Sequence, residues 1–145
     1  MDASLSKPAV VLDTNVVLDW LVFRNPEGRA LFDAIEQGRL RWIVTEPMHD
    51  ELLHVLGRGV AAAYRPDLAM IGESWRRLSE IASIPVLQDE ATRLRCTDTD
   101  DQKFVDLALA RARWLVSRDR AVLKLARRAG RLGLQVIPPG RWRLE

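Results

Sequence analysis

The sequence has one cysteine, Cys96, so no internal disulfide can form. A soluble, cytoplasmic protein in a reducing compartment is the matching expectation. Long apolar runs are also missing. The best, Val16 to Phe23, is short and broken by Asp19, far below the ~20 residues of a membrane span. The N-terminus lacks the basic stretch and long apolar core of a secretion signal. No glycine-rich nucleotide loop follows the first apolar run, and no repeat, low-complexity tract or linker is visible. Histidine is scarce: His49 and His54 are the pair. Their spacing turns them about 140° apart on a helix, so they do not form the zinc pair of a metalloprotease. Net charge is only +2 with 48% hydrophobic residues, which argues against disorder. The 145 residues suit a single domain over 1–145, large enough to bury roughly 70% of its unfolded surface.

What charge there is lies unevenly. Residues 111–145 hold ten basic and two acidic side chains, so residues 1–110 carry −6. The basic end is either a contact surface for an anionic partner or a solvated face. Arginine outnumbers lysine nineteen to three. Arginine suits bidentate phosphate contacts, and a codon bias gives the same ratio.

Apolar runs alternate with helical patterns along the chain. Pro8 to Leu12, Trp42 to Val44, Ile84 to Leu87, Trp114 to Ser117 and Leu134 to Ile137 read as five short strands. Helices are expected from Thr14 or Asn15, over Ala30 to Ile35 up to Gly38, and from Thr45 to Gly57. Further ones are a turn at Ala61 to Tyr64, an amphipathic helix over Asp67 to Ala82, one from Asp98 or Thr99 to about Ala112, and Arg120 to Ala129. Gln88 to Thr97 reads as irregular. The pattern predicts an α/β fold, a three-layer α/β/α sandwich around a largely parallel five-stranded sheet. Trp42, Trp75 and Trp114 fall on core-facing patterns. Trp142, in the basic end, is a candidate for either base stacking or packing.

Ligands of open parallel sheets bind beyond the C-terminal strand ends, and acids gather there. Asp13 follows the first strand and Asp119 the fourth. Glu51 lies on the helix after the second, and Asp98, Asp100 and Asp101 start the helix leading into the fourth. Each alone could be a helix cap or a dipole partner. Together they would repel unless a cation sat among them, and oxygen-only clusters suit Mg²⁺ or Mn²⁺.

These segments carry a resemblance. Val11-Leu12-Asp13-Thr14-Asn15-Val16-Val17-Leu18 resembles the opening motif of PIN-domain ribonucleases. Pro47 to Leu56 resembles their helix bearing the second acid. Asp98-Thr99-Asp100-Asp101-Gln102-Lys103-Phe104 with Leu107 to Ala110 resembles the third motif, and Trp114 to Asp119 with Val122-Leu123 the fourth. The likeness is greatest to the toxins of bacterial toxin–antitoxin pairs and runs from about Ala9 to Pro139. It implies a Mg²⁺- or Mn²⁺-dependent endoribonuclease with RNA as substrate, a cognate antitoxin as partner and, in many members, a homodimer. Carried over by motif, the catalytic and metal-binding quartet is Asp13, Glu51, Asp101 and Asp119. The third acid of the family precedes the hydroxyl residue of the fourth motif by a spacing that, counted back from Ser117, falls on Asp101. Asp98 and Asp100 remain alternative or supporting ligands, and Asn15 and Ser117 match supporting polar positions. Arg118, Arg120, Lys124, Arg127 and Arg128 are the candidates for tracking an RNA backbone.

Two departures stand out. Ser117-Arg118-Asp119 replaces a frequent Thr-Gly-Asp, and Ala121 stands where another acid is common. Arg118 puts a large cation beside the site, where it either binds phosphate or competes with metal. Two rival functions stay open: a PIN-like module that binds RNA or a partner without cutting, and a phosphatase with Asp13 as nucleophile. The second would want an aspartate where Asn15 stands.

Overall fold

The structure is a computed structural model that describes residues 7–59, 62–86 and 94–144. The described residues build a five-stranded sheet in which every pairing is parallel. Its strands are β1 (Ala9–Leu12), β2 (Arg41–Val44), β3 (Ser79–Ile81), β4 (Trp114–Val116) and β5 (Gln135–Ile137), in the order β3-β2-β1-β4-β5. Helices lie on both faces: α1 (Thr14–Leu21), α2 (Arg29–Glu36), α3 (Glu46–Gly57), α4 (Leu68–Leu78), α5 (Gln102–Arg111), α6 (Arg120–Leu123) and α7 (Ala126–Arg131). The expected three-layer architecture is therefore present.

Strands covered on both faces need apolar residues at every position. All of β1 and β4 is buried. Each buried valine or leucine contributes roughly 1.5–3 kcal/mol over leaving it in water. Val10 pairs with Trp42 on one side and Trp114 on the other, and Leu12 ends level with Val116. Chain order runs outward from β1 to β2 and β3, then returns to β4. The crevice beyond the ends of β1 and β4 is the switch point of the sheet, where ligands of such folds bind. Gly38 stops the chain after α2 with φ +75, a left-handed conformation that glycine adopts without penalty.

Three expectations are corrected. The third strand is Ser79–Ile81, not Ile84 to Leu87, and α4 ends at Leu78 instead of reaching Ala82. Ser79 leaves the helix in extended geometry, its N–H still bonded to the Trp75 carbonyl. The chain then pairs with β2, fixed by Arg41 Nε to Glu80 at 2.8 Å and by the Ala82 N–H to the Val44 carbonyl at 2.7 Å. Pro85 could not have donated to such a ladder. Leu87, residues 88–93 of the irregular segment, and Ala61 lie outside the described residues. Ala62–Tyr64 forms the expected turn. The helix expected over Arg120 to Ala129 is broken into α6 and α7, because Leu125 takes ψ −7 and bonds back to Val122. Trp142 is 2% exposed and packs edge-on against Trp114, with ring centroids 5.4 Å apart. It belongs to the core and offers no ring for base stacking. No described helix is long and apolar enough to cross a membrane.

Candidate active site

The switch point is built by three chain segments. Asp13 follows β1 as the N-cap of α1. Its Oδ1 accepts the Val16 N–H at 3.0 Å, and its Oδ2 accepts a short hydrogen bond from Ser117 Oγ. Ser117 is fully buried just past β4, and its Oγ also accepts the Asp119 N–H at 3.0 Å. One hydroxyl thus ties two acids from different strands. Asp119 caps α6 through the Ala121 N–H at 2.8 Å. The third segment is the turn before α5. There Asp98 accepts the Asp100 N–H at 3.0 Å and starts a 3-10 turn over Thr99–Asp101.

The structure brings Asp98, Asp101 and Asp119 together, one carboxylate oxygen of each within 4.8 Å of the others. The Oδ2 of Asp101 is buried and has no hydrogen-bond partner among the described residues. Burial, then the charges of Asp119 and Asp98, push the Asp101 carboxyl up to about 7. Asp13 is 3% exposed, and burial raises it to about 6 against the hydrogen bonds from Ser117 and Val16. Burial is the first cause of both shifts, and at Asp101 the neighbouring acids add to it, so the ionised forms are disfavoured as they stand. A proton or a cation relieves that. A buried, unpartnered carboxylate oxygen within a group of oxygen donors fits a hard divalent ion.

The other sequence candidates are placed differently. Glu51, on the second turn of α3, is not in this three-acid group. Its Oε2 accepts a short hydrogen bond from Thr14 Oγ1, and its Oε1 meets Lys103 Nζ at 2.6 Å. Asp100 is exposed and contributes its backbone carbonyl to Lys103. Asn15 is exposed, with no side-chain hydrogen bond among the described residues. Arg120, Lys124, Arg127 and Arg128 are exposed along α6 and α7. Arg118 reaches back to α1, where Nε and Nη2 meet Asp19 at 2.6 and 2.9 Å.

A family model described as PIN domain matches residues 9–121, well over half of the chain. The chain belongs to the PIN-domain family. No curated protein and no solved structure matches it. PIN domains have a nuclease-type fold, typically bind divalent metals and take RNA as substrate. The matched span holds all the clustered acids, whereas Lys124, Arg127 and Arg128 lie beyond it.

Sequence reasoning missed three residues of this PIN domain's site. Thr14 reads as a helix cap, yet Asp13 caps α1 and Thr14 serves Glu51. Lys103 is one of three lysines in the chain and stands two residues after Asp101, which is the signal that could have marked it. Asp19 shows in the sequence only as a break in an apolar run.

Proposed function

We propose that this PIN domain is a metal-dependent endoribonuclease and the toxin of a toxin–antitoxin pair, held in check by a cognate antitoxin. The observation that carries the catalytic part is the buried, unpartnered Asp101 Oδ2 among three converging carboxylates at the sheet switch point. Asp101 and Asp119, with Asp98, would hold Mg²⁺ or Mn²⁺, and Asp13 adds charge behind them. The bound ion would polarise the scissile phosphodiester and lower the pKa of the attacking water. Ser117 fixes Asp13 and Asp119 relative to each other, so that neither has to reorganise as charge develops. Glu51, held by Thr14 next to Asp13 and by Lys103 near Asp101, would orient the water. Hydrolysis forms the bond from water oxygen to phosphorus and breaks the bond to the 3′ oxygen. A 5′-phosphate and a 3′-hydroxyl remain. Arg120, Lys124, Arg127 and Arg128 track the RNA backbone. The toxin role rests on the likeness of the four motifs, as does a homodimer; a cytoplasmic site of action follows from it.

One observation favours a second reading, a module that binds RNA without cutting it: Glu51 is paired to Lys103 rather than to the other acids. The phosphatase reading loses ground, because Asp13 is buried with both oxygens engaged and presents no free nucleophile.

The test is cleavage of end-labelled single-stranded RNA with Mn²⁺, Mg²⁺ or EDTA, beside Asp101→Asn. Metal-dependent cutting that falls at least ~100-fold in the variant is expected, the scale seen when one group stabilising a transition-state charge is removed. RNA binding without cutting in any metal would favour the second reading. Cutting unchanged in the variant would mean that Asp98 and Asp119 suffice without Asp101, or that Asp100 takes its place.

A further inference from the structure

Asp19 is a buried carboxylate with no part in the acid cluster. It sits in the middle of α1 between Val16, Val17 and Leu18 on one side and Trp20 and Leu21 on the other, all buried. Its side chain is 5% exposed and its ion-pair partner is Arg118, whose side chain is 46% exposed. Burying a carboxylate costs free energy that a single pair seldom recovers, and an apolar residue is often as stable there. Stability is therefore a poor reason for the pair. What the pair achieves is orientation. Nε and Nη2 both bond to Asp19, so the planar guanidinium is fixed in position and tilt. The backbone on either side is fixed as well, by the Ser117 N–H to the Ile137 carbonyl and the Asp119 N–H to Ser117 Oγ.

Arginine has more donors than Asp19 can use. Nη1, and the second N–H of Nη2, have no partner among the described residues. Arg118 stands between Ser117 and Asp119, and its charge reaches Asp13. We propose that Asp19 and Arg118 form a preformed phosphate-binding unit at the lip of the acid cluster, which engages an RNA backbone phosphate next to the scissile one. The neighbouring phosphate is indicated because Asp19 lies six residues along α1 from Asp13, roughly 9 Å at ~1.5 Å per residue. The pair also answers how a large cation can stand beside a metal site. Asp19 offsets part of the Arg118 charge, which lowers its repulsion of a divalent ion, while the directed N–H donors keep their hold on a phosphate. Ordering costs at binding are low because the side chain is already held.

This inference rests on RNA being the ligand of the acid site. The probe is a labelled single-stranded RNA in EDTA, with affinity measured against salt, followed by steady-state cleavage with Mn²⁺. Arg118→Gln is expected to weaken binding about tenfold and to reduce the salt slope by at most about 0.7, the value of one full phosphate contact on a single strand. Its loss should fall on KM more than on kcat. Arg118→Lys keeps the charge and the slope but loses the fork, so affinity should fall severalfold. Asp19→Asn/Arg118→Gln leaves no buried charge at this pair, guards against unfolding, and should match Arg118→Gln in affinity. Wild-type affinity and slope in Arg118→Gln and in the double variant, both folded by circular dichroism, would overturn the proposal while a cutting wild type kept the nuclease. A wild type that binds RNA through Arg118 but never cuts would sink the nuclease and keep the proposal. A wild type that binds no RNA would sink both.

Discussion

Two carboxylate–cation pairs flank the acid cluster, and they are built differently. On the α1 side, Asp19 is buried and Arg118 reaches it from solvent, through two hydrogen bonds. On the α3 side, Glu51 and Lys103 are each about a quarter exposed and meet through one ammonium contact, at 24% and 26% side-chain exposure. The first pair holds an arginine in one pose. The second holds Glu51 between the Thr14 hydroxyl and an ammonium that also donates to the Asp100 carbonyl, a point-charge contact with less directional demand than a guanidinium fork. One flank is suited to binding a fixed phosphate. The other holds a carboxylate through a less directional contact.

The sharpest way to break this comparison is to remove one cation at a time. Arg118→Ala leaves the Asp19 carboxyl without its ion-pair partner in an apolar surround. It should destabilise the protein by about 2 kcal/mol, below the ~3–5 kcal/mol of a fully buried pair because Arg118 is half in water. Asp19→Asn should cost less than ~1 kcal/mol, since the amide fits the same space and the freed guanidinium hydrates. Urea unfolding of both variants checks the asymmetry. Equal losses would mean that the burial difference between the partners does not matter.

A second handle is pH, and it compares the cluster with its flanks. Asp13 and Asp101 are raised from 3.8 to about 6 and about 7, mainly by burial. Between pH 3.8 and those values the folded protein holds protons that the unfolded chain has released. Stability without metal therefore falls as pH rises through this window. Asp101→Asn should flatten the fall, and Asp19→Asn should leave the part due to Asp101 in place. In Mg²⁺ or Mn²⁺ the fall should shrink or reverse, because ionised ligands bind the ion. Thermal melts in EDTA and in Mn²⁺ across pH 4–8 measure it. A flat profile in EDTA would mean the carboxylates are relieved by something other than protons.

How much of this was legible beforehand depends on how local the cause is. β1 and β4 are short apolar runs that full burial leaves little choice, and the apolar residues of β2 and β5 mark those strands although Arg41 and Gln135 are not buried. β3 is not such a run, because Ser79-Glu80-Ile81 has weak strand character and is held by the β2 edge. The apolar Ile84-Pro85-Val86-Leu87 imitates a strand better than the real one does. Asp13, Asp101 and Asp119 stand at strand and helix ends, so position alone marks them. Lys103 meets Glu51 across 52 positions and Arg118 meets Asp19 across 99. No periodicity encodes such meetings. They exist once α3 and α5, or α1 and the end of β4, have packed together.

The smallest expected effect tests the α3 flank. Lys103→Met removes an ammonium from a quarter-exposed pair, so stability should change by less than ~1 kcal/mol. Glu51 still has Thr14, and the methionine stem can cover the apolar surface under the lysine, including the Phe104 ring that Nζ overlies at 4.9 Å. If Lys103 serves only to park Glu51, the variant should bind Mn²⁺ at least as tightly as wild type, because a competing cation has gone. Isothermal titration reads this without any turnover. If instead Lys103 holds Glu51 in its working pose, Mn²⁺ affinity should stay the same while kcat falls severalfold with KM unchanged. Either result separates the two flanks. A drop in RNA affinity and salt slope equal to that of Arg118→Gln would erase the difference, since Lys103 would then be a second phosphate contact.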